Sequence, residues 1–139
     1  MQLTDSRGTA FTVNSRHIVY VKARGSDATI LLSRGNQIID VAESVSEVIT
    51  EAGGALVAFT ALSGDVVGSV GINPAYIVTV ASYSSGTQSQ VVLMDDDYNT
   101  TRTTMTLSAS YASMEALVEE TSAAASLDGT ETVKIVQDG

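Results

Sequence analysis

Cysteine and tryptophan are absent from these 139 residues, and there is one proline and one histidine. Without cysteine there is no disulfide framework, no thiolate zinc site and no cysteine nucleophile. Bases are also few: seven Lys and Arg stand against sixteen Asp and Glu, for a formal charge of −9. Such a chain repels nucleic acid and anionic membranes overall, which argues against a whole-surface electrostatic binder of either. Long apolar runs are missing too. The most apolar stretch, Ala55-Leu56-Val57-Ala58-Phe59, is far too short to span a bilayer, and Met1 to Gly8 lacks the apolar segment of a signal peptide. The expectation is a soluble protein made in a cytoplasm.

What is present points to strands. Hydrophobic residues make up 44% of the chain and aromatics 5%, so Val, Ile, Leu and Ala must fill the interior. With many Thr and Ser, that composition favours β-structure over a helical bundle. The charge is unevenly placed. Residues 1–35 carry five bases (Arg7, Arg16, Lys22, Arg24, Arg34) and two acids (Asp5, Asp27), a net +3, so the remainder, with 2 bases and 14 acids, is −12. These charges make either ordinary solvated faces or a positive face that packs on a neighbour's negative one.

One pattern is written twice. Leu3-Thr4, the turn residues Asp5 to Gly8, and Phe11-Thr12-Val13-Asn14 read as a hairpin. At a constant offset of 59 residues, Leu3 falls on Leu62, Phe11 on Val70, Val13 on Ile72 and Asn14 on Asn73. His17-Ile18-Val19-Tyr20-Val21 then falls on Tyr76-Ile77-Val78-Thr79-Val80. Asn opens each segment and a two-residue link, Ser15-Arg16 or Pro74-Ala75, should bend the chain between two strands. Third strands are expected at Ala28–Leu32 and Gln90–Met94, and fourth strands at Gln37–Val41 and Thr104–Leu107. A helical period follows in each copy: Val45, Val48, Ile49 and Ala52 in the first, Met114, Leu117 and Val118 in the second. Ser44 with Glu47 forms a capping box, Gly53-Gly54 a stop, and Ser113 the expected cap of the second helix. A last strand is expected at Thr132–Val136. The fold class is therefore α+β and mostly antiparallel, as two tandem pseudo-symmetric repeats, each of about four strands plus one short helix. The boundaries are 1–54 and 55–139, the two repeats packing as one unit because about sixty residues is near the limit for independent stability. The final strand can complete its own sheet, cross to the other repeat, or pair with a neighbouring chain.

Two resemblances follow. Leu3-Thr4, Gly8, Phe11, Val13-Asn14, Ile18, Val21, Thr29-Ile30-Leu31-Leu32, Gly35, Val41 and Glu43 to Ile49 resemble the small flagellar FlbD-type proteins over residues 2–52, and more faintly over 61–120. The whole-chain layout, Asn followed by Ile-Val-x-Val, then Thr-Ile-x-Leu, then Ser-x-Glu, resembles tandem β-rich virion structural proteins of tailed bacteriophages. That second resemblance implies a non-enzymatic part of a shell, neck or tail, located in the virion after synthesis in a host cytoplasm.

Candidate chemical sites are sparse. His17 opens an apolar strand; no Gly-x-Ser-x-Gly elbow accompanies it, and a structural role is the better reading. Asp95, Asp97 and Asn99 occupy the first, third and fifth positions of a calcium-loop pattern, but Thr100 and Thr106 stand where Gly and a bidentate Glu are needed, so a solvated hairpin tip is favoured. Gly64, Gly68 and Gly71 lack the Lys and helix of a phosphate loop, so turn glycines are the better reading. Asn99-Thr100-Thr101 matches a glycosylation sequon but has no secretion signal with it. The expectation is no catalytic residue and no cofactor. The expected interaction surface consists of Arg7, Arg16, Lys22, Arg24, Arg34, Asp95, Asp96 and Asp97. Partners are other virion or assembly proteins through self-association or docking, with no membrane and no nucleic acid. The alternatives are a small protein-binding or regulatory module of the FlbD type, and an enzyme using carboxylate chemistry at a site the sequence does not locate.

Overall fold

A computed structural model describes residues 1–33, 37–94 and 102–129, with side chains up to residue 123. Ten strands and two α-helices follow one another as β1 (Gln2–Thr4), β2 (Ala10–Thr12), β3 (Ile18–Arg24), β4 (Asp27–Leu32), β5 (Ile38–Val41), α1 (Val45–Glu51), β6 (Val57–Gly64), β7 (Gly68–Ile72), β8 (Ile77–Tyr83), β9 (Gln88–Leu93), β10 (Thr103–Leu107) and α2 (Tyr111–Gly129). The class is α+β, with every strand pair antiparallel. Among the described residues each half of the chain contributes five strands, not four. The expected strand at Thr132–Val136 lies outside the described residues.

Local chemistry explains the turns. Asn14 and Asn73 each sit before a single 3-10 turn, and each side-chain oxygen accepts from the backbone two residues on, Arg16 N or Ala75 N, at 3.1 Å. This Asx arrangement replaces a turn hydrogen bond and bends the chain from one strand into the next. The β-branched runs after each Asn then propagate as β3 and β8. Both strands carry the same irregularity, a register shift at Ile18/Tyr20 in β3 and at Ile77/Thr79 in β8. Helix α1 starts at a complete capping box: Ser44 Oγ accepts from Glu47 N and the Glu47 carboxylate accepts from Ser44 N. Helix α2 is capped by Ser110, whose hydroxyl accepts from Ser113 N, so the cap lies three residues before the expected Ser113.

Eight strands form one sheet in the order β5-β4-β3-β7-β6-β10-β9-β8, and β1-β2 form a separate hairpin. That hairpin hangs on β5 through an Asp5–Val41 bridge and an Ala42 N to Thr4 O bond of 2.8 Å. In the second half the same hydrogen bond is Ser108 N to Thr60 O, 3.0 Å. The halves meet where β3 pairs with β7: Tyr20 with Ile72, Val21 with Gly71, Lys22 with Val70. Helix α1 packs over β3 and β7 together and so covers this joint.

The hydrophobic core has two parts. One lies in the first half around Leu3, Ile18, Val21, Ile30, Val41 and Val48. The other is built mainly from the second half, around Val70, Ile72, Val91, Leu93, Met105, Leu107 and Met114, but it also takes Val19, Tyr20 and Leu31 from β3 and β4. A fully buried aliphatic side chain contributes about 1.5–3 kcal/mol, so those shared residues bind the halves in addition to the strand ladder.

The first strands do not correspond as the constant offset implies. Leu3 opposes Phe11 and Phe59 opposes Val70, so Phe59, not Leu62, takes the place of Leu3. Leu3 is buried whereas Leu62 is 44% exposed. The physical reason is turn length: Thr4–Ala10 encloses five residues, and Thr60–Ser69 encloses eight.

Candidate functional site

The two ends of the strand array differ in what covers them. Strand β8 has β9 on one side and, among the described residues, no strand on the other. Its counterpart by turn and bulge is β3, which is flanked on both sides by β4 and β7. The consequence is visible side chain by side chain. Val19 is 1% exposed and Val78 is 55% exposed, while Tyr20 is buried and Thr79 exposed. Tyr83, at the end of β8, is 45% exposed. At the opposite end, β2 has β1 on one side and, among the described residues, no second neighbour, whereas its counterpart β7 lies between β3 and β6. Thr12 and Asn14 are exposed where Gly71 and Asn73 are buried.

Open edges in natural sheets are usually blunted by Lys, Pro or inward charges. Between Asp65 and Asp95 the sequence has no charged residue at all, and Pro74, the chain's one proline, precedes β8 rather than interrupting it. Among the described residues, then, none of these devices blunts the β8 edge. Helix α2, packed on β8 and on the 3-10 turn before it, presents Glu115, Glu119 and Glu120 to solvent and no base. Arg7 in the β1–β2 turn and Arg16 in the 3-10 turn after β2 are exposed at the other end.

The described basic residues named from the sequence lie on different elements. Arg7 and Arg16 flank β2, while Lys22 and Arg24 lie on β3. Arg24 is engaged with Asp27 at 3.7 Å and Asp40 at 3.5 Å, pairs that are nearly half exposed and contribute little. Arg34, Asp95, Asp96, Asp97 and Asn99 lie outside the described residues. His17 Nδ1 lies 3.2 Å from the Ser33 hydroxyl, and Ser33 N donates to the His17 carbonyl at 2.8 Å, so the histidine ties together the ends of β3 and β4. Gly64 and Gly68 both have positive φ and flank the β6–β7 turn. No cluster of three metal-ligating side chains occurs among the described residues, and no described helix is long and apolar enough to cross a membrane.

An open groove of about 850 Å³ lies between α1 and the Ser108-Ala109 segment, with Phe59 and Val70 in its floor and serine and threonine hydroxyls on its rim. Asp27 is the only charged residue among those lining it. It offers apolar contact and hydrogen bonding. The residues the sequence did not single out are those of the β8 edge, Val78 to Tyr83; the charge-free run around them was the available signal.

Compared with known proteins, residues 1–53 match the family FlbD, described as flagellar and swarming motility proteins. The match spans β1 to β5 and α1, less than half of the chain. No curated protein and no solved structure matches it.

Proposed function

We propose that this chain is a non-enzymatic protein-interaction protein, an FlbD-type unit extended by a second unit of the same plan, which works by strand-edge association. The observation that carries this reading is the uncharged outer edge of β8, exposed where the matching strand β3 is covered. Supporting it, the family match of residues 1–53 favours a small binding or regulatory module connected with motility. Residues 1–54 and 55–139 are, on this reading, copies of one ancestral unit fused into a single body.

A bacteriophage virion component, in a capsid decoration, neck or tail, is the second reading. It is favoured by the two unlike open ends, which suit a part used in many copies. Flagellar genes beside the reading frame would support the first reading, and portal, capsid or tail genes the second.

Size-exclusion chromatography with light scattering, at low and high salt, tests the association common to both. The expected result is a mass above the 14.4 kDa of one chain. A salt-insensitive monomer that joins no larger particle would overturn the reading.

A further inference from the structure

The chain contains a worked example of its own missing contact. Strand β3 and strand β8 share the preceding Asx turn, the bulge position and the following antiparallel neighbour. Strands β2 and β7 likewise lead into those turns, through Val13-Asn14 and Ile72-Asn73. Inside the chain β3 is joined to β7; β8 and β2 are the two that have no such partner among the described residues.

We propose that copies of this chain assemble head to tail, the outer edge of β8 pairing with β2 of a second copy as β3 pairs with β7. Shifting the internal register by 59 residues sets the pairs: Tyr20–Ile72 becomes Thr79–Val13, Val21–Gly71 becomes Val80–Thr12, and Lys22–Val70 becomes Ala81–Phe11. The inference rests on the association reading above and names its partner and geometry.

The bonds that close the internal joint have their counterparts waiting. Asn73 N donates to Val19 O at 3.0 Å, and Asn73 Nδ2 donates to Arg16 O at 3.2 Å. Asn14 holds the same Asx turn with its oxygen, and across the new joint its N and Nδ2 would face Val78 O and Ala75 O. The exposure pattern agrees, since Val78 and Asn14 are exposed and Val19 and Asn73 buried. Charge agrees as well: Arg7 and Arg16 flank β2, and Glu115, Glu119 and Glu120 flank β8. One contact must differ. Gly71 lies tight against Ile49 and Val21, and the corresponding residues are Thr12, Glu115 (aligning the Ser44 and Ser110 caps) and Val80. Thr12 has a Cβ where Gly71 has none, so the joint between chains sits slightly wider, with a hydroxyl beside a carboxylate. Unlike edges make a heterologous contact, which closes into rings or runs on as filaments.

The absence of cysteine makes the test direct. The full chain carrying Thr12→Cys and Val80→Cys is oxidised and run without reductant. The expected result is a ladder of covalent multiples, with a peptide linking positions 12 and 80. Mixing the two single variants should stop at dimers. Adding Val78→Lys, at an exposed position whose melting curve shows the fold retained, should abolish the ladder. Oligomers without the 12–80 link would overturn this joint and leave the association reading standing, whereas monomers without it would overturn both. A Val80→Cys chain linking to itself, a link within one chain, or a ladder that survives Val78→Lys would each overturn the proposal. So would a ladder that forms only after residues 130–139 are deleted, which would make that segment the occupant of the β8 edge.

Discussion

At Gly71 the two halves are in tight contact. A Cβ there would meet Ile49 Cγ1 and Val21 Cγ1, each at 2.7 Å, so even one methyl forces α1 away from the β3–β7 joint. Gly71→Ala should destabilise the chain by about 1–3 kcal/mol, the usual cost of overpacking. Ile49→Ala should cost less in that background than alone, because the two changes share one contact; urea unfolding of the four proteins reads both. Tyr20 offers a second probe. Burial raises its phenol above the ordinary value of 10.0, a Thr103 hydrogen bond opposes the shift, and the Asp65 charge adds to it. The folded state therefore prefers the neutral phenol, and this contribution is complete below pH 10 and lost as pH rises through the raised value. Tyr20→Phe should show a smaller fall in melting temperature than the parent between about pH 8 and about pH 11. At this level the sequence was informative about turn chemistry, as at Asn14 and Asn73. It was uninformative about Gly71, read as a turn glycine, because the need for glycine there comes from a helix 22 residues earlier in the chain.

Among the elements, the β1–β2 hairpin is the pair outside the eight-stranded sheet. Besides the buried Leu3 side chain, the Asp5–Val41 bridge and the Ala42–Thr4 bond, it is held by Glu43, whose two carboxylate oxygens both accept from Thr4 N at 3.0 Å. Glu43→Ala should cost about 1.5–3 kcal/mol, the range for a hydrogen bond to a charged group. Hydrogen exchange should show the Thr4 amide losing protection while the β4 amides keep theirs. The helix start at Ser44 and strands β3, β4 and β5 were legible because capping boxes and apolar spacing are written in consecutive residues. The start of α2 was not, since Ser110 and Ser113 are both good caps and tertiary packing of Tyr111 and Met114 chooses between them. Strand β6 was anticipated only from Leu62 onward, as the counterpart of Leu3. Its apolar residues, Val57 to Phe59, and its polar end, Leu62 to Gly64, look like different elements until the pairing with β7 and β10 joins them.

The whole molecule is one sheet system whose weakest boundary in sequence, residues 52–56, is not a boundary in space. Because β3 and β7 are neighbours and Val19, Tyr20 and Leu31 belong to the second half's core, unfolding should be a single cooperative transition. Calorimetric and van't Hoff enthalpies should agree, and a fragment of residues 1–54 should melt well below the full chain or associate through its bared β3 edge. Composition, turn residues and apolar periodicity were enough to establish an α+β, antiparallel chain, because those signals act between residues a few positions apart. Strand neighbours are another matter. That β3 meets β7, that Phe59 stands where Leu3 stands, and that β8 and β2 are left open depend on turn lengths and on contacts across more than forty residues. Those are decided when the sheet closes and buries one set of side chains at the expense of another.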